Sequence, residues 1–415
     1  MSSYGRGARV LGVGIATTGL VTFAYFALAS HSLTGTEYAG LSLLWSVLFL
    51  IISVIYRPVE QLLSHTIAAR RARGEEGHPL RVPLTIQLAA AAVFLIAALA
   101  FRGPLEDDVF DGSSELYWVL VVATLAYAAS YFARGWLAGH QRFGLYGGLV
   151  LLESTSRVLF AVAVAVGIAS GQGAVALGIA AAPLVSLLVL PWALDRGGRA
   201  ERTSSGDSLR EGAGFAGSVL AIMAAEQAVL NGPVLAVDAT AADAALAGIV
   251  FNVLLIVRAP LQLFQAVQTS LLPHLSGLAA TGGDAELRGA VRTTILAVAA
   301  FTAGVVLGLG LIGPWAMDVL FGGEFDYGRA GLMLVGLGMG LHLAANTLNQ
   351  AALARGRGHA AAAAWLAGAA LFLVWLLAAP LDDELLAVEV GYSATAGLLA
   401  SALWVIERDR SARRS

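Results

Sequence analysis

Twelve apolar stretches, each about as long as a bilayer-spanning helix, follow one another through this chain of 415 residues. A spanning helix needs about 20 mostly apolar residues. Hydrophobic residues make up 58% of the chain and charged residues 13%, whereas soluble domains average roughly 45–50% and about 25%. This composition excludes an ordinary soluble enzyme and a disordered chain, and it predicts a polytopic membrane protein. The stretches are 9–30, 39–56, 83–101, 116–136, 148–168, 174–194, 213–237, 244–267, 291–312, 330–352, 361–379 and 388–406.

The placement of arginine gives the expected orientation. All 25 basic residues are Arg, because the chain has no Lys. If the N-terminus is cytoplasmic and the stretches alternate in direction, 21 arginines fall on the cytoplasmic side and two, Arg102 and Arg329, fall outside. Cytoplasmic segments of membrane proteins are enriched in basic residues. The sequence therefore predicts a multi-pass protein of the cytoplasmic membrane with both termini in the cytoplasm.

The twelve stretches divide into two halves of six. The polar segment 195–212 is the natural junction, so we expect one six-helix bundle over 1–200 and a second over 201–415. Residues 39–68 and 247–276 are weakly similar at a constant offset of 208. Since each half has an even number of helices, the halves would share their orientation and form parallel repeats. The expected fold is all-α, with two pseudo-symmetric bundles.

Four charged residues stand out deep inside predicted helices: Glu153, Arg157, Glu226 and Arg258. Each costs at least about 2.5–3.5 kcal/mol to insert and is therefore a functional candidate. Glu153 and Arg157 are four residues apart and share a helical face. They form either a structural ion pair or a substrate site, in which Glu153 holds Arg157 against a phosphate.

Arg258 precedes Pro260, which is expected to kink or open the eighth helix. Gln262 and Gln265 follow on roughly one face, and Asn252 precedes them. Freed backbone groups are tolerated only where they are buried in protein or face water. We therefore expect this segment to line a polar cavity. Snorkelling of Arg258 towards the cytoplasmic surface is the alternative.

Glu226 lies in the middle of the seventh stretch, near Asn231. The two are candidates for binding a coupling cation or proton, although Glu226 could equally balance Arg258. Arg57 and Arg142 are expected at cytoplasmic helix ends, where they would attract an anionic substrate. The run Arg70–Arg73 is expected to meet anionic lipid headgroups.

Several kinds of chemistry are excluded by missing residue types. Without Cys there is no thiolate site or disulfide, and without Lys there is no phosphate-binding loop of the ATPase type. The seven His residues are dispersed. We therefore expect no metal site, no cofactor, no enzymatic activity and no nucleic-acid partner.

The layout resembles the multidrug/oligosaccharidyl-lipid/polysaccharide exporter superfamily, most closely its polysaccharide biosynthesis (oligosaccharide flippase, Wzx-like) proteins. Within the middle of the three matching segments, Gly139, Arg142, Phe143, Tyr146 and Gly147 form a basic loop pattern that leads to Glu153 and Arg157. The matching segments are 57–74, 134–160 and 258–280. One departure is the helix count, since many flippases of the superfamily have fourteen helices.

The resemblance implies two bundles around a central cavity that opens alternately to each side. It implies a flippase that moves polyprenyl-diphosphate-linked oligosaccharide to the outer leaflet, with Arg157 and Arg258 binding the charged group. A glycan polymerase or glycosyltransferases would be its partners. A cation-coupled drug or metabolite antiporter of the same superfamily remains an alternative. A non-transporting scaffold and a membrane-embedded glycosyltransferase are further alternatives.

Overall fold

The computed structural model of the chain is helical, with no strand among the residues that it describes. These are residues 31–75, 80–189, 191, 209–240, 270–321, 328–378, 381 and 383–408, with single residues and short runs between 14 and 29 and between 250 and 264. The helices are α1 (Gly35–Ile55), α2 (Arg57–Ala72), α3 (Arg81–Ala100), α4 (Ser114–Gly139), α5 (Phe143–Ala165), α6 (Gly171–Ser186), α7 (Leu209–Thr240), α8 (Asp284–Phe321), α9 (Arg329–Ala354), α10 (Gly358–Leu377) and α11 (Glu384–Arg408).

Ten segments within the described residues are long and apolar enough to cross a membrane. They match the second to seventh and the ninth to twelfth predicted stretches. The eighth, 244–267, falls largely outside the described residues, and the first, 9–30, is described only in short helical pieces. The prediction of an all-α polytopic membrane protein is therefore confirmed.

The second span is longer than the sequence pattern indicated. The predicted stretch stops at residue 56, but the span runs from Leu43 to Ala72. The helix breaks at Tyr56 and restarts as α2, with Pro58 in its first turn, a position where the missing N–H of proline costs nothing. The polar residues of α2 thus follow the apolar stretch within one candidate span.

The chain divides into two compact units, Met1–Ala216 and Gly217–Ser415. Both units contain the same turn between consecutive helices. Gln141 and Gly356 have φ values of 57° and 73°. The N–H of the next residue, Arg142 or Arg357, bonds to the carbonyl of Leu137 or Ala352 at 2.8 Å. This left-handed turn ends α4 in unit 1 and α9 in unit 2.

Among the described membrane-length helices of each unit, α4 and α9 are the most buried, and they carry much of the polar interior. In unit 1, α4 packs against α1, α2 and α6; in unit 2, α9 packs against α8 and α11. By contrast, α3 and α8 expose large apolar side chains, such as Leu88 and Ile96 on α3 and Leu307 and Leu311 on α8. Those faces suit contact with lipid.

Candidate functional site

Unit 1 contains a buried group of charged side chains on three helices, which we call the unit 1 charge cluster. It consists of Arg57 and Glu60 on α2, Arg134 on α4, and Glu153 and Arg157 on α5. Glu60, Glu153 and Arg157 are all less than 8% exposed. Three arginines are thus combined with two glutamates.

Glu153 is engaged mainly by α4. Its Oε2 atom lies 2.6 Å from Nη2 of Arg134 and accepts a hydrogen bond of 3.1 Å from the hydroxyl of Ser130. Its other oxygen is 3.9 Å from Nη2 of Arg157, which is beyond hydrogen-bond length. The predicted pairing of Glu153 with Arg157 is therefore a loose one.

Arg157 is almost completely buried, with 3% of its surface exposed. Its guanidinium carbon lies 4.4 Å from the ring centroid of Trp45 and 5.9 Å from that of Tyr25, so cation–π attraction supports the charge. Its Nε and Nη1 atoms have no hydrogen-bond acceptor among the described residues. Buried polar groups are nearly always bonded, so these two donors mark a place where an acceptor is expected.

Glu60 is the second acid of the cluster. Its Oε1 atom accepts a hydrogen bond of 2.8 Å from the hydroxyl of Tyr146 on α5. Arg57 and Arg134 are its charged neighbours. Gly135 makes this packing possible, because a Cβ there would lie 2.8 Å from the backbone oxygen of Glu60.

The two arginines expected at cytoplasmic helix ends occupy different places. Arg57 is the first residue of α2 and lies within the Leu43–Ala72 span, about 22 Å along the helix from Ala72 at 1.5 Å per residue. Arg142 is at the turn that precedes α5 and is partly buried.

The basic run at the end of α2 is partly neutralised. Arg71 donates a hydrogen bond of 2.9 Å to the carbonyl of His140 and so ties α2 to the turn that contains Arg142. A hydrogen bond from Arg73 lowers the pKa of Glu75, which also pairs with Arg70 at 3.3 Å. The run therefore keeps a positive excess that suits anionic headgroups.

Unit 2 contains a separate polar group, which we call the unit 2 acid site. The Oε1 atom of Glu226 on α7 lies 3.1 Å from Nε2 of His342 and 2.9 Å from the amide nitrogen of Asn346, both on α9. The Nδ1 atom of His342 lies 3.2 Å from the hydroxyl of Tyr392 on α11. His342 also packs edge-on against Trp365 at 5.4 Å.

Helix α9, which contacts Glu226 through His342 and Asn346, also carries buried amide oxygens. The side-chain oxygens of Asn346, Asn349 and Gln350 are buried and have no donor among the described residues. The described residues contain no group of three His, Cys, Asp or Glu side chains, and oxygen donors suit hard cations such as an alkali ion. Asn231, predicted beside Glu226, donates to the backbone and side-chain oxygens of Gln227 on its own helix.

Four predicted site residues lie outside the described residues: Asn252, Arg258, Gln262 and Gln265. They remain predictions. The two polar groups in the structure include Arg134, Glu60 and His342, which the sequence pattern did not single out as site residues. His342 and Asn346 are four residues apart, a spacing that would have indicated one shared polar face towards Glu226.

Comparisons with known proteins agree with this architecture. No family model matches the sequence. Uncharacterized proteins of Mycobacterium tuberculosis and Mycobacterium bovis are 27% identical over 342 residues, which are 79% of this chain and 74% of each relative.

Solved structures match over nearly the whole chain. The MATE transporter VcmN of Vibrio cholerae in its bent form has a TM-score of 0.78 at 14% identity, and the match covers 98% of both chains. A transporter of the MOP superfamily from Pyrococcus furiosus, whose binding pocket is described as having reverse polarity, has a TM-score of 0.73 at 14% identity, covering 98% of this chain and 94% of the other. At this identity the likeness establishes the fold, and the chain has the fold of MATE transporters.

Proposed function

We propose that this protein is a flippase that moves a polyprenyl-diphosphate-linked oligosaccharide across the cytoplasmic membrane by alternating access. The observation that carries the proposal is Arg157. It is a buried cation with two N–H donors that lack acceptors, and it lies in a cluster with more arginines than acids.

A diphosphate is the ligand that this arrangement fits. The planar guanidinium group matches phosphate oxygens in a bidentate manner, and such charge-assisted hydrogen bonds are strong. With Glu60 and Glu153 ionised, the three arginines leave one positive charge in excess, which favours an anion over the cationic substrates of a drug exporter. The polyprenyl chain would remain in the bilayer.

The aromatic residues beside Arg157 support a glycan as the attached group. Trp45 packs edge-to-face against Phe26 at 5.6 Å and lies stacked with Phe49 at 6.1 Å. Aromatic faces provide apolar contact area, against which the C–H faces of sugar rings can pack. Trp45 would thus place a sugar next to the charge that Arg157 binds.

Loading takes place from the cytoplasm in this proposal, because both termini and most arginines are assigned to that side. Arg142 and the basic run at the end of α2 would attract the diphosphate headgroup. The glycosyltransferases that build the glycan and a polymerase that consumes it would be the partners.

Gene deletion with lipid analysis tests the proposal. A strain that lacks the gene should accumulate polyprenyl-diphosphate-linked intermediates, measured by mass spectrometry, and should lose surface glycan. The wild-type gene should reverse both effects and Arg157→Ala should not. Arg102→Ala is the matched control, because Arg102 is 48% exposed in its side chain and pairs with Glu106. An unchanged lipid pool in the deletion strain would overturn the proposal.

The unit 2 acid site favours a second candidate, a cation-coupled antiporter. Its support is the Glu226 carboxylate, which accepts a hydrogen bond from Asn346, together with the three buried amide oxygens of α9 that have no donor among the described residues. This candidate predicts efflux of a cationic dye driven by a sodium or proton gradient and lost in Glu226→Gln. If the deletion strain accumulates no lipid intermediate and the protein drives no efflux, the non-transporting scaffold is favoured.

A further inference from the structure

Glu60 is a buried carboxyl group to which the proposed function gives no role. It lies on α2 directly after the break at Tyr56 and is 7% exposed. Its hydrogen bond comes from a neutral group, the Tyr146 hydroxyl at 2.8 Å. Among the described residues, no arginine lies within ion-pair distance of it, in contrast to Glu153.

Among the described residues, the ionisable groups nearest Glu60 lie on α2, α4 and α5. Arg57 is on its own helix α2, α4 contributes Arg134 and Tyr131, and α5 contributes Tyr146. Glu153, also on α5, is held by Arg134. The ionisable residues of α1 and α3, Glu37 and Tyr38 on α1 and Arg81 on α3, lie in the first turns of those helices, far from the break. The field at Glu60 is therefore that of two nearby arginines.

These surroundings tolerate Glu60 in either charge state. As a carboxylate it is stabilised by the nearby charges of Arg57 and Arg134 and by the Tyr146 hydrogen bond. As a neutral carboxylic acid it can still accept from Tyr146 through its carbonyl oxygen. Protonation raises the excess charge of the cluster from one to two, since three arginines would then face only Glu153.

We propose that Glu60 is the proton-operated switch of the anionic site: it takes a proton from water when the anionic substrate binds and returns it when the substrate leaves. This inference rests on the proposed function. An ionised Glu60 cancels part of the positive field of Arg57 and Arg134 at the anionic site, whereas a protonated Glu60 leaves that field undiminished for the substrate. Because linkage is reciprocal, the bound anion also favours protonation of Glu60.

The sign of the resulting pH dependence follows directly. Affinity for the anion rises as pH falls through the titration of Glu60. One linked proton gives a slope of up to about tenfold in affinity per pH unit. Glu60→Gln, which fixes the neutral form, should bind the anion with the acid-limit affinity of the wild type at every pH.

Binding of farnesyl diphosphate to the purified full-length protein tests this switch. The variants are wild type, Glu60→Gln, and Glu115→Gln as the control, since Glu115 is an exposed acid at the start of α4. The diphosphate has its own titration, but the three proteins share it. The slope that Glu60 contributes is therefore the difference between wild type and Glu60→Gln, and Glu115→Gln should behave as wild type. An unchanged slope in Glu60→Gln, or a wild type that loses more affinity than Glu60→Gln as pH falls, would overturn the inference.

A second measurement needs no substrate. Infrared difference spectra between acid and alkaline buffers should show a carboxylic acid C=O band that is missing in Glu60→Gln and present in Glu115→Gln. An identical band pattern in all three proteins would show that Glu60 does not titrate.

The two proposals fail in different ways. If the wild type binds no diphosphate at any pH, the proposed function fails and the switch fails with it. If Arg157→Ala abolishes binding while Glu60→Gln keeps the wild-type slope, the anionic site stands and only the switch is lost.

Discussion

Nη2 of Arg134 lies 2.6 Å from Oε2 of Glu153, whereas Arg157, one turn after Glu153 on the same helix, stays 3.9 Å from the other oxygen. The negative charge of Glu153 is thus balanced by Arg134 on α4. Arg157 keeps two buried donors for another acceptor. The cluster thus contains one arginine held in a close ion pair and one with unfilled donors.

Replacing Arg134 should destabilise the protein far more than replacing Arg157. Arg134→Ala leaves Glu153 buried without its ion-pair partner, which costs about 3–5 kcal/mol. Arg157→Ala removes donors that lack acceptors, along with the contact to Trp45, so we expect a change within about 1 kcal/mol. Unfolding of the purified proteins in detergent measures both.

The double variant Arg134→Ala/Glu153→Gln is the control for this prediction. It removes the unpaired acid and should recover a large part of the stability that Arg134→Ala loses. Equal destabilisation by the two single arginine variants would contradict the assigned roles.

Only part of this site could be predicted from the sequence. Helical periodicity places Glu153 and Arg157 on one face, because they are four residues apart. The pairing of Glu153 with Arg134 depends on how α4 packs against α5, which no local spacing encodes. Arg57 is expected near a helix end because hydropathy falls there, and the structure makes it the first residue of α2, which extends the helical segment to Ala72.

Sodium should stabilise the protein if the unit 2 acid site binds a cation. A ligand at 100 times its Kd adds about 2.7 kcal/mol to the stability of the folded state. The melting temperature of the wild type should therefore be higher in sodium chloride than in choline chloride. Glu226→Gln should lose this difference. Glu286→Gln, at an exposed acid in the first turn of α8, should keep it. Equal melting of the wild type in both salts would argue against an alkali-cation site.

Some helices extend well beyond the apolar stretches that predict them. The apolar stretch 291–312 became α8, which spans Asp284–Phe321. Its first turns contain charged residues, including Asp284 and Glu286. Acidic residues are favourable near a helix N-terminus, so the helix continues beyond the hydrocarbon-length segment that hydropathy detects.

Arg355 should stabilise one end of unit 2 by linking α8 and α11. Its Nη2 atom lies 3.1 Å from Oε1 of Glu407 on α11 and 3.7 Å from Oδ1 of Asp284 on α8. Burial lowers the pKa of Arg355, and Glu407 partly offsets that effect.

Arg355→Ala removes both ties and leaves Glu407 buried without its cation, so we expect a loss of about 1–3 kcal/mol. Arg292→Ala is the control, because Arg292 is an exposed residue of α8. Thermal unfolding compares the two, and equal melting temperatures would show that the ion pairs contribute nothing.

Two glycines provide the sharpest test of the packing between α8 and α9. A Cβ at Gly340 would lie 2.1 Å from the hydroxyl oxygen and 2.6 Å from the Cβ of Thr302 on α8, whereas a Cβ at Gly304 has no neighbour within 4 Å. Thr302 has little room to move, because its hydroxyl donates a hydrogen bond of 2.7 Å to the carbonyl of Val298.

Gly340→Ala should therefore cost about 1–3 kcal/mol by overpacking. Gly304→Ala lacks that clash and should be neutral or gain up to about 1 kcal/mol, because alanine is the better helix former. The two substitutions add the same methyl group to contacting helices, so their difference in unfolding free energy reports the close approach itself. Equal effects of the two variants would mean that α8 and α9 are not packed as closely as the structure has them.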